Sequence, residues 1–157
     1  MIIQIICAGK IKEKHYAQAC EEYLKRLSRF GKVTLTQVPD ESAPDNASAR
    51  DIERLLQTEG ERILKQLQKD DILLALAIEG ERFTSESFAE LVHTFAQKGR
   101  VCFAIGGSYG LSSAVYARAA RLISLSDMTL SHQLARVVLT EQLYRAATIL
   151  AGHKYHK

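Results

Sequence analysis

Tryptophan is absent, cysteine occurs only three times, and no apolar stretch approaches the length that crosses a bilayer. The missing tryptophan excludes nothing. The missing apolar run excludes a transmembrane helix, and Met1–Cys7 is too short for a signal-peptide core. The chain therefore reads as cytoplasmic, with no membrane partner. Cys7, Cys20 and Cys102 share no metal-ligand spacing, and their odd number leaves one unpaired in any disulfide scheme. They fall in apolar strand and helix patterns and read as small buried hydrophobes. His15, His93, His132, His153 and His156 lack the pairing of a zinc site, so no metal is expected. No Gly-Lys-Ser/Thr follows a glycine-rich loop, which excludes a P-loop. Charge excess is scarce too, with 21 basic against 18 acidic residues and a net charge of +3. That permits nucleic-acid binding without demanding it.

What is present is ordinary globular material: 157 residues, 46% hydrophobic and 25% charged, enough for one domain spanning 1–157. Residues 2–8 read as a buried strand. A helix over about 13–30 places Tyr16, Cys20, Tyr23, Leu24 and Leu27 at helical spacing, and Gly31 ends it. Residues 32–38 alternate and are rich in β-branched types, a strand pattern. After a polar loop from Pro39 to Asn46, Ser48-Ala49-Arg50-Asp51 is a capping box opening a helix that Asp70-Asp71 stop. Its inward residues are Ile52, Leu55, Leu56, Ile63 and Leu67. Ile72 to Ile78 is continuously apolar, the mark of a strand covered on both faces. Glu79-Gly80-Glu81 reads as a turn into a helix from Thr84 to Gly99. Val101–Ile105 is a strand, Ser112–Ala120 a helix, Leu122–Leu125 a short strand, and 132–151 a final helix. Strands alternating with helices predict an α/β fold with a mostly parallel sheet flanked by helices.

The final helix is apolar around nearly its whole circumference, through Leu134, Val137, Val138, Leu139, Leu143, Tyr144, Ala146, Ala147, Ile149 and Leu150. Such a helix is buried on more than one side. A terminal helix in a small domain has little of its own to cover the second side, so a homodimer is expected.

Two small-residue loops follow the late strands. Ile105-Gly106-Gly107-Ser108-Tyr109-Gly110 does not have dinucleotide-fingerprint spacing, and no acidic residue follows the next strand at the usual place. It is either a tight turn needing positive φ or a loop whose backbone approaches a ligand closely. Leu125-Ser126-Asp127-Met128-Thr129-Leu130-Ser131-His132 leads into the last helix. His132 and Arg136 stand four apart and share a face near that helix's N-terminus, where an anion would be favoured. A capping histidine beside a solvated arginine is the plainer alternative. Glu141 and Arg145 repeat the spacing and read as a buried polar contact. The chain's end, Tyr155-His156-Lys157, is polar and aromatic, which suggests a working terminus.

Taken together, Ile105-Gly-Gly-Ser-Tyr-Gly-Leu111, Leu125–His132, the run from Arg136 through Glu141 to Tyr144-Arg145-Ala146, and Tyr155-His156-Lys157 closely resemble the bacterial 23S rRNA (pseudouridine-N3)-methyltransferases. These belong to the SPOUT, or α/β-knot, class. Ala8-Gly9-Lys10 and Val38-Pro39-Asp40 match as well, so the likeness extends over the whole chain. One departure is visible: Ser131 stands where many relatives carry proline, which loosens the loop slightly.

The resemblance implies a C-terminal deep trefoil knot and S-adenosylmethionine as cofactor. It assigns cofactor contacts to Leu76, Gly106, Gly107, Leu125, Ser126, Asp127, Met128, Thr129 and Leu130. It also implies that N3 of a pseudouridine is methylated in the assembled ribosome, at a large-subunit rRNA stem-loop facing the subunit interface. Methyl transfer is an in-line displacement that needs an aligned nucleophile, helped by a base or an electropositive site. His132, Arg136, Tyr155 and His156 are the catalytic candidates, with Arg136 foremost for charge stabilisation. Another SPOUT activity such as tRNA methylation, and a non-enzymatic ribosome-binding module, stand as alternatives.

Overall fold

The computed structural model describes residues 1–157. Five strands and five helices alternate: β1 (Ile2–Ala8), α1 (Lys14–Leu27), β2 (Lys32–Val38), α2 (Ala49–Leu64), β3 (Ile72–Arg82), α3 (Ser85–Ala96), β4 (Val101–Ile105), α4 (Ser113–Arg118), β5 (Arg121–Ser124) and α5 (His132–Leu150). The strands form one sheet in the order β2-β1-β4-β3-β5, and every pairing is parallel. All five therefore deliver their following loops to the same edge.

Period-two alternation divides the core. Ile3, Ile5, Cys7, Leu74, Phe103 and Ile105 face the layer of α1, α3 and α5. Ile6, Ala8, Leu73, Ala75, Cys102 and Ala104 face Ile63 of α2 and Val115 of α4. Both faces are covered, which is why these strands read as unbroken apolar runs. The three cysteines are free and buried, and burial pushes the thiols of Cys7 and Cys102 up to about 12. They are inert core residues.

The expected capping box opens α2. Ser48 Oγ accepts the Asp51 N–H at 3.2 Å, and Asp51 Oδ2 accepts the Ser48 N–H at 3.0 Å. That helix ends at Leu64, short of Asp70-Asp71, and Leu67 packs from beyond it. Asp71 serves instead as a buried ion-pair partner of Arg100.

Two expectations need correction. The segment 79–81 is no turn, because β3 continues to Arg82. Leu76 and Glu81 both register with Ile123, so residues 77–80 bulge between two stretches paired to β5. A Cβ on Gly80 would lie 2.6 Å from Ile123 backbone atoms, so this bulge rests directly on the neighbouring strand. The second correction concerns α5. It lies between α1 and α3 and contacts both, so its own chain covers flanks that seemed to need a partner. Leu134, Val137 and Val138 remain half-buried.

Candidate functional site

The bulge in the middle of β3 and the two loops that follow β4 and β5 enclose an open cleft with about 680 Å³ of empty space. Open α/β sheets bind ligands at this edge, where backbone leaves the hydrogen-bonded ladder. The walls are apolar: Leu76 and Ile78 from β3, Ile105 from β4, and Leu125 and Leu130 from the loop after β5. Gly106, Gly107, Ser126, Met128, Thr129 and His132 also line it. Eight of the nine expected cofactor-contact residues thus meet at one place. The ninth, Asp127, points away: it is exposed, does not line the cleft, and pairs with Arg82.

The glycine turn has an internal reason for its composition. A Cβ on Gly106 would collide with the Gly110 carbonyl, and Gly110 takes φ +87° while its N–H donates to the Gly107 carbonyl at 3.2 Å. The turn alternative therefore holds at Gly110, where φ is positive. At Gly106 the close approach is to the chain's own backbone. Beneath the turn, a Cβ on Gly107 would sit 3.2 Å from the buried carboxylate of Glu59, whose other oxygen accepts the Glu41 N–H at 2.8 Å. Burial raises the pKa of Glu59 above the ordinary carboxylate range.

The loop after β5 keeps its backbone largely unpaired within the chain. Ser124 Oγ donates to the Ser126 carbonyl at 2.9 Å, and the Met128 N–H donates to Ser126 Oγ at 3.0 Å. Ser131 ends the loop as the N-cap of α5, its hydroxyl accepting the Leu134 N–H at 3.3 Å. The residue in the place of proline thus supplies a cap that proline lacks. Three of the chain's five exposed large hydrophobics, Ile78, Tyr109 and Met128, belong to β3 and these two loops.

His132 lines the cleft, and its imidazole is held below the usual histidine range by burial first and the nearby Arg136 charge second. It is therefore a neutral proton acceptor at pH 7. Arg136 does not share that surface. It is completely buried behind the cleft, with Nη2 donating to the Ala8 carbonyl at 2.5 Å and with Nε and Nη1 left unpartnered. The expected surface pair with His132 is corrected accordingly: both residues face inward, but the end of β1 covers the guanidinium. Two orphan donor nitrogens on a buried cation are costly, and such a feature is seldom kept without use.

Tyr155 and His156 are elsewhere. Tyr155 Oη donates to Glu141 Oε1 at 2.9 Å, while Arg145 bonds the same oxygen at 2.5 Å and lies 4.8 Å over the Tyr155 ring centroid. His156 meets Glu86 Oε1 at 2.7 Å and Arg145 at 3.4 Å. Burial and the Glu141 carboxylate push the Tyr155 phenol well above its ordinary value, so it holds its proton. Neither residue lines the cleft. Sequence reasoning also missed several lining residues, among them Ala77, Ile78, Ile123 and Ala135. Ala77 and Ile78 were findable, since they end the apolar run of β3.

A solved structure described as a probable methylase family protein from Haemophilus influenzae Rd KW20 superposes with a TM-score of 0.52 at 14% identity. The match covers 96% of this chain and 66% of that one, and it shows a shared fold. Sequence relatives are much nearer. Proteins named "Ribosomal RNA large subunit methyltransferase H" match from Lactobacillus helveticus (strain DPC 4571) at 49%, Listeria monocytogenes serovar 1/2a (strain ATCC BAA-679 / EGD-e) at 48% and Bacillus pumilus (strain SAFR-032) at 47% identity. Each alignment covers all of both chains. A family model described as "Predicted SPOUT methyltransferase" matches residues 1–156. With a cleft enclosed by the β3 bulge and the loops after β4 and β5, and a family match over nearly every residue, this chain belongs to the SPOUT methyltransferases.

Proposed function

We propose that this chain, acting as one domain in the cytoplasm, transfers the methyl group of S-adenosylmethionine to N3 of a pseudouridine in large-subunit (23S) rRNA of the assembled ribosome. The cleft is the observation that carries the reading: apolar walls for a flat ring, beside loop backbone free to bond polar edges. The name shared by relatives at 45–49% identity supports the rRNA substrate. The same proposal puts a deep trefoil knot at the C-terminal end, with residues 105–110 and 125–130 as its ligand-binding loops.

Bound in the cleft, S-adenosylmethionine supplies an electrophilic methyl group for in-line displacement. Leu76, Leu125 and Leu130 hold the ring, and the glycine turn and the 125–130 backbone orient the amino-acid part. N3 of the pseudouridine would be the nucleophile toward that methyl group and would have to give up its proton. His132, neutral and at the cleft wall, accepts that proton. Arg136 contributes positive potential from behind, favouring the nucleobase anion without touching it. The tail acts from its docked position on α5, where Tyr155 is a positioning ring and no base.

A homodimer belongs to the same proposal. Exposed Ile78, Tyr109 and Met128, with half-buried Val137 and Val138 on α5, give it an apolar surface to cover. In that dimer the docked tail of one chain faces the cleft of the other. Sedimentation is expected to give a dimer at micromolar concentration and a monomer for Val138→Glu; a wild-type monomer contradicts the assembly.

The reaction is tested by mass spectrometry of 23S rRNA from cells with and without the gene. One N3-methylpseudouridine that disappears with the gene supports the proposal. An unchanged modification profile contradicts it.

A further inference from the structure

The mechanism leaves unused the segment from the end of β1 to the first residue of α1, where Lys10, Lys12 and Lys14 are all exposed within five residues. None of the three takes part in any of the chain's ion pairs. Their place is fixed by the sheet. Cys7 registers with Ile105, so Ala8-Gly9-Lys10 leaves β1 beside the glycine turn leaving β4, one strand spacing (about 4.8 Å) away.

A second tie comes from α5. Glu13 provides no side-chain cap for α1, and Gln133 holds the backbone entering that helix from across the fold. Its Oε1 accepts the Lys12 N–H at 2.8 Å and the Glu13 N–H at 3.2 Å. Gln133 directly follows His132, so the residue that lines the cleft and the residue that anchors the lysine segment are neighbours on one helix turn. Lys12 is near enough to help keep His132 neutral, against the opposing charge of Asp40. Glu13, Asp40 and Glu41 are exposed acidic groups at this edge, Glu41 pairs with Arg62, and Glu59 is buried beneath the glycine turn. Three lysines against Glu13 within 10–14 leave the segment itself at +2.

We infer that Lys10, Lys12 and Lys14 form a rim that receives the phosphate backbone of the RNA whose target nucleotide enters the cleft. The inference rests on the RNA-methyltransferase reading above. Phosphates position a nucleic acid and bases specify it, so a rim of flexible cations fixed next to a shaped cleft divides those two tasks. The chain's low net charge makes this local: at +3 overall, three free lysines at the mouth of the site outweigh a diffuse field.

The test compares a rim variant, Lys10→Gln/Lys12→Gln/Lys14→Gln, with a charge-matched control, Lys65→Gln/Lys69→Gln/Lys98→Gln, at the opposite edge of the sheet. Methyl transfer to ribosomes lacking the modification is followed at several salt concentrations, alongside co-sedimentation with those ribosomes. The rim variant is expected to raise KM at least tenfold with kcat nearly unchanged. Its slope of log kcat/KM against log salt should be shallower by about two, from three phosphate contacts at roughly 0.7 each. The control should move KM less than threefold. Equal losses in both variants, a wild-type KM in the rim variant, or a raised KM with an unchanged salt slope would each overturn the inference. If the wild type co-sediments through the rim but transfers no methyl group, the activity reading fails and the rim stands. If it neither transfers nor co-sediments, both fall.

Discussion

The cleft and the tail are built on opposite plans. Around the cleft, loop backbone is left largely unpaired, apolar side chains face outward, and a buried arginine behind the wall keeps two donor nitrogens without partners. At the tail Tyr155 and His156 are already engaged, the Tyr155 hydroxyl with Glu141, the His156 ring with Glu86 and Arg145, and the Tyr155 ring with Tyr144 at 4.7 Å between centroids, while Lys157 is exposed. Unsatisfied groups are the signature of a place prepared for something else to bind, because a folded chain otherwise pairs what it buries. Satisfied groups are the signature of an element held in position. Under the proposed function the contrast divides the labour: the cleft binds, and the tail presents.

The largest effect is expected from breaking the cleft. Gly106→Val drives a side chain into the Gly110 carbonyl, so it should destabilise the fold by about 3 kcal/mol or more and abolish cofactor binding in whatever remains folded. Thermal melting and calorimetric titration with S-adenosylmethionine check both halves. A variant that melts and binds like the wild type would show that the turn is not the constrained element described.

Removing residues 155–157 tests the other side. Methylation of ribosomes should fall by about a hundredfold or more, while cofactor affinity stays within about threefold, since no tail residue lines the cleft. Full activity on ribosomes would make the docked tail a structural finish only. Loss of cofactor binding would erase the contrast between the two regions.

The smallest effect sharpens the account of the turn. Burial raises the pKa of Glu59, outweighing the Glu41 N–H that it accepts. A carboxyl with a raised folded pKa adds stability below its unfolded value, near 4.3, and loses it as pH rises through the folded value. At pH 8 the buried ionised form is the unfavourable one. Glu59→Gln keeps the acceptor and removes the charge, so it should melt a few degrees higher than wild type at pH 8, on the order of 1 kcal/mol. Near pH 4 the two should melt together. A variant less stable at pH 8 would mean that the carboxylate holds the turn by charge.

Much of this was legible in the sequence, and what was not has a physical reason. Apolar runs gave β1 and β4 to the residue, because strands buried on both faces write their limits in hydrophobicity, and alternation with β-branched types gave the edge strand β2. β3 runs past its apolar stretch to Arg82, since pairing with β5 resumes at Glu81 and Arg82, where composition alone suggests a turn. Cleft residues were legible because loops at strand ends carry small and polar residues in a recognisable order. Asp127 was the exception, drawn outward by Arg82, which lies 45 positions away in sequence. The i,i+4 spacing put His132 and Arg136 on one face, yet spacing does not reveal that the end of β1 would seal Arg136 in. In the same way, the apolar girth of α5 predicted cover without naming α1 and α3, because helix order within a layer follows from the strand crossovers. The docking of the tail depends on Glu86 and Glu141 from two separate helices, a meeting that no local pattern records.

The most direct test of the division between cleft and tail is one titration. Backbone amide resonances of the ¹⁵N-labelled protein are followed by NMR as S-adenosylmethionine is added. Saturable, single-site shifts are predicted for residues 105–110 and 123–132, with residues 153–157 of the same chain left nearly unmoved. Shifts centred on the tail, or none anywhere at millimolar cofactor, would contradict the account.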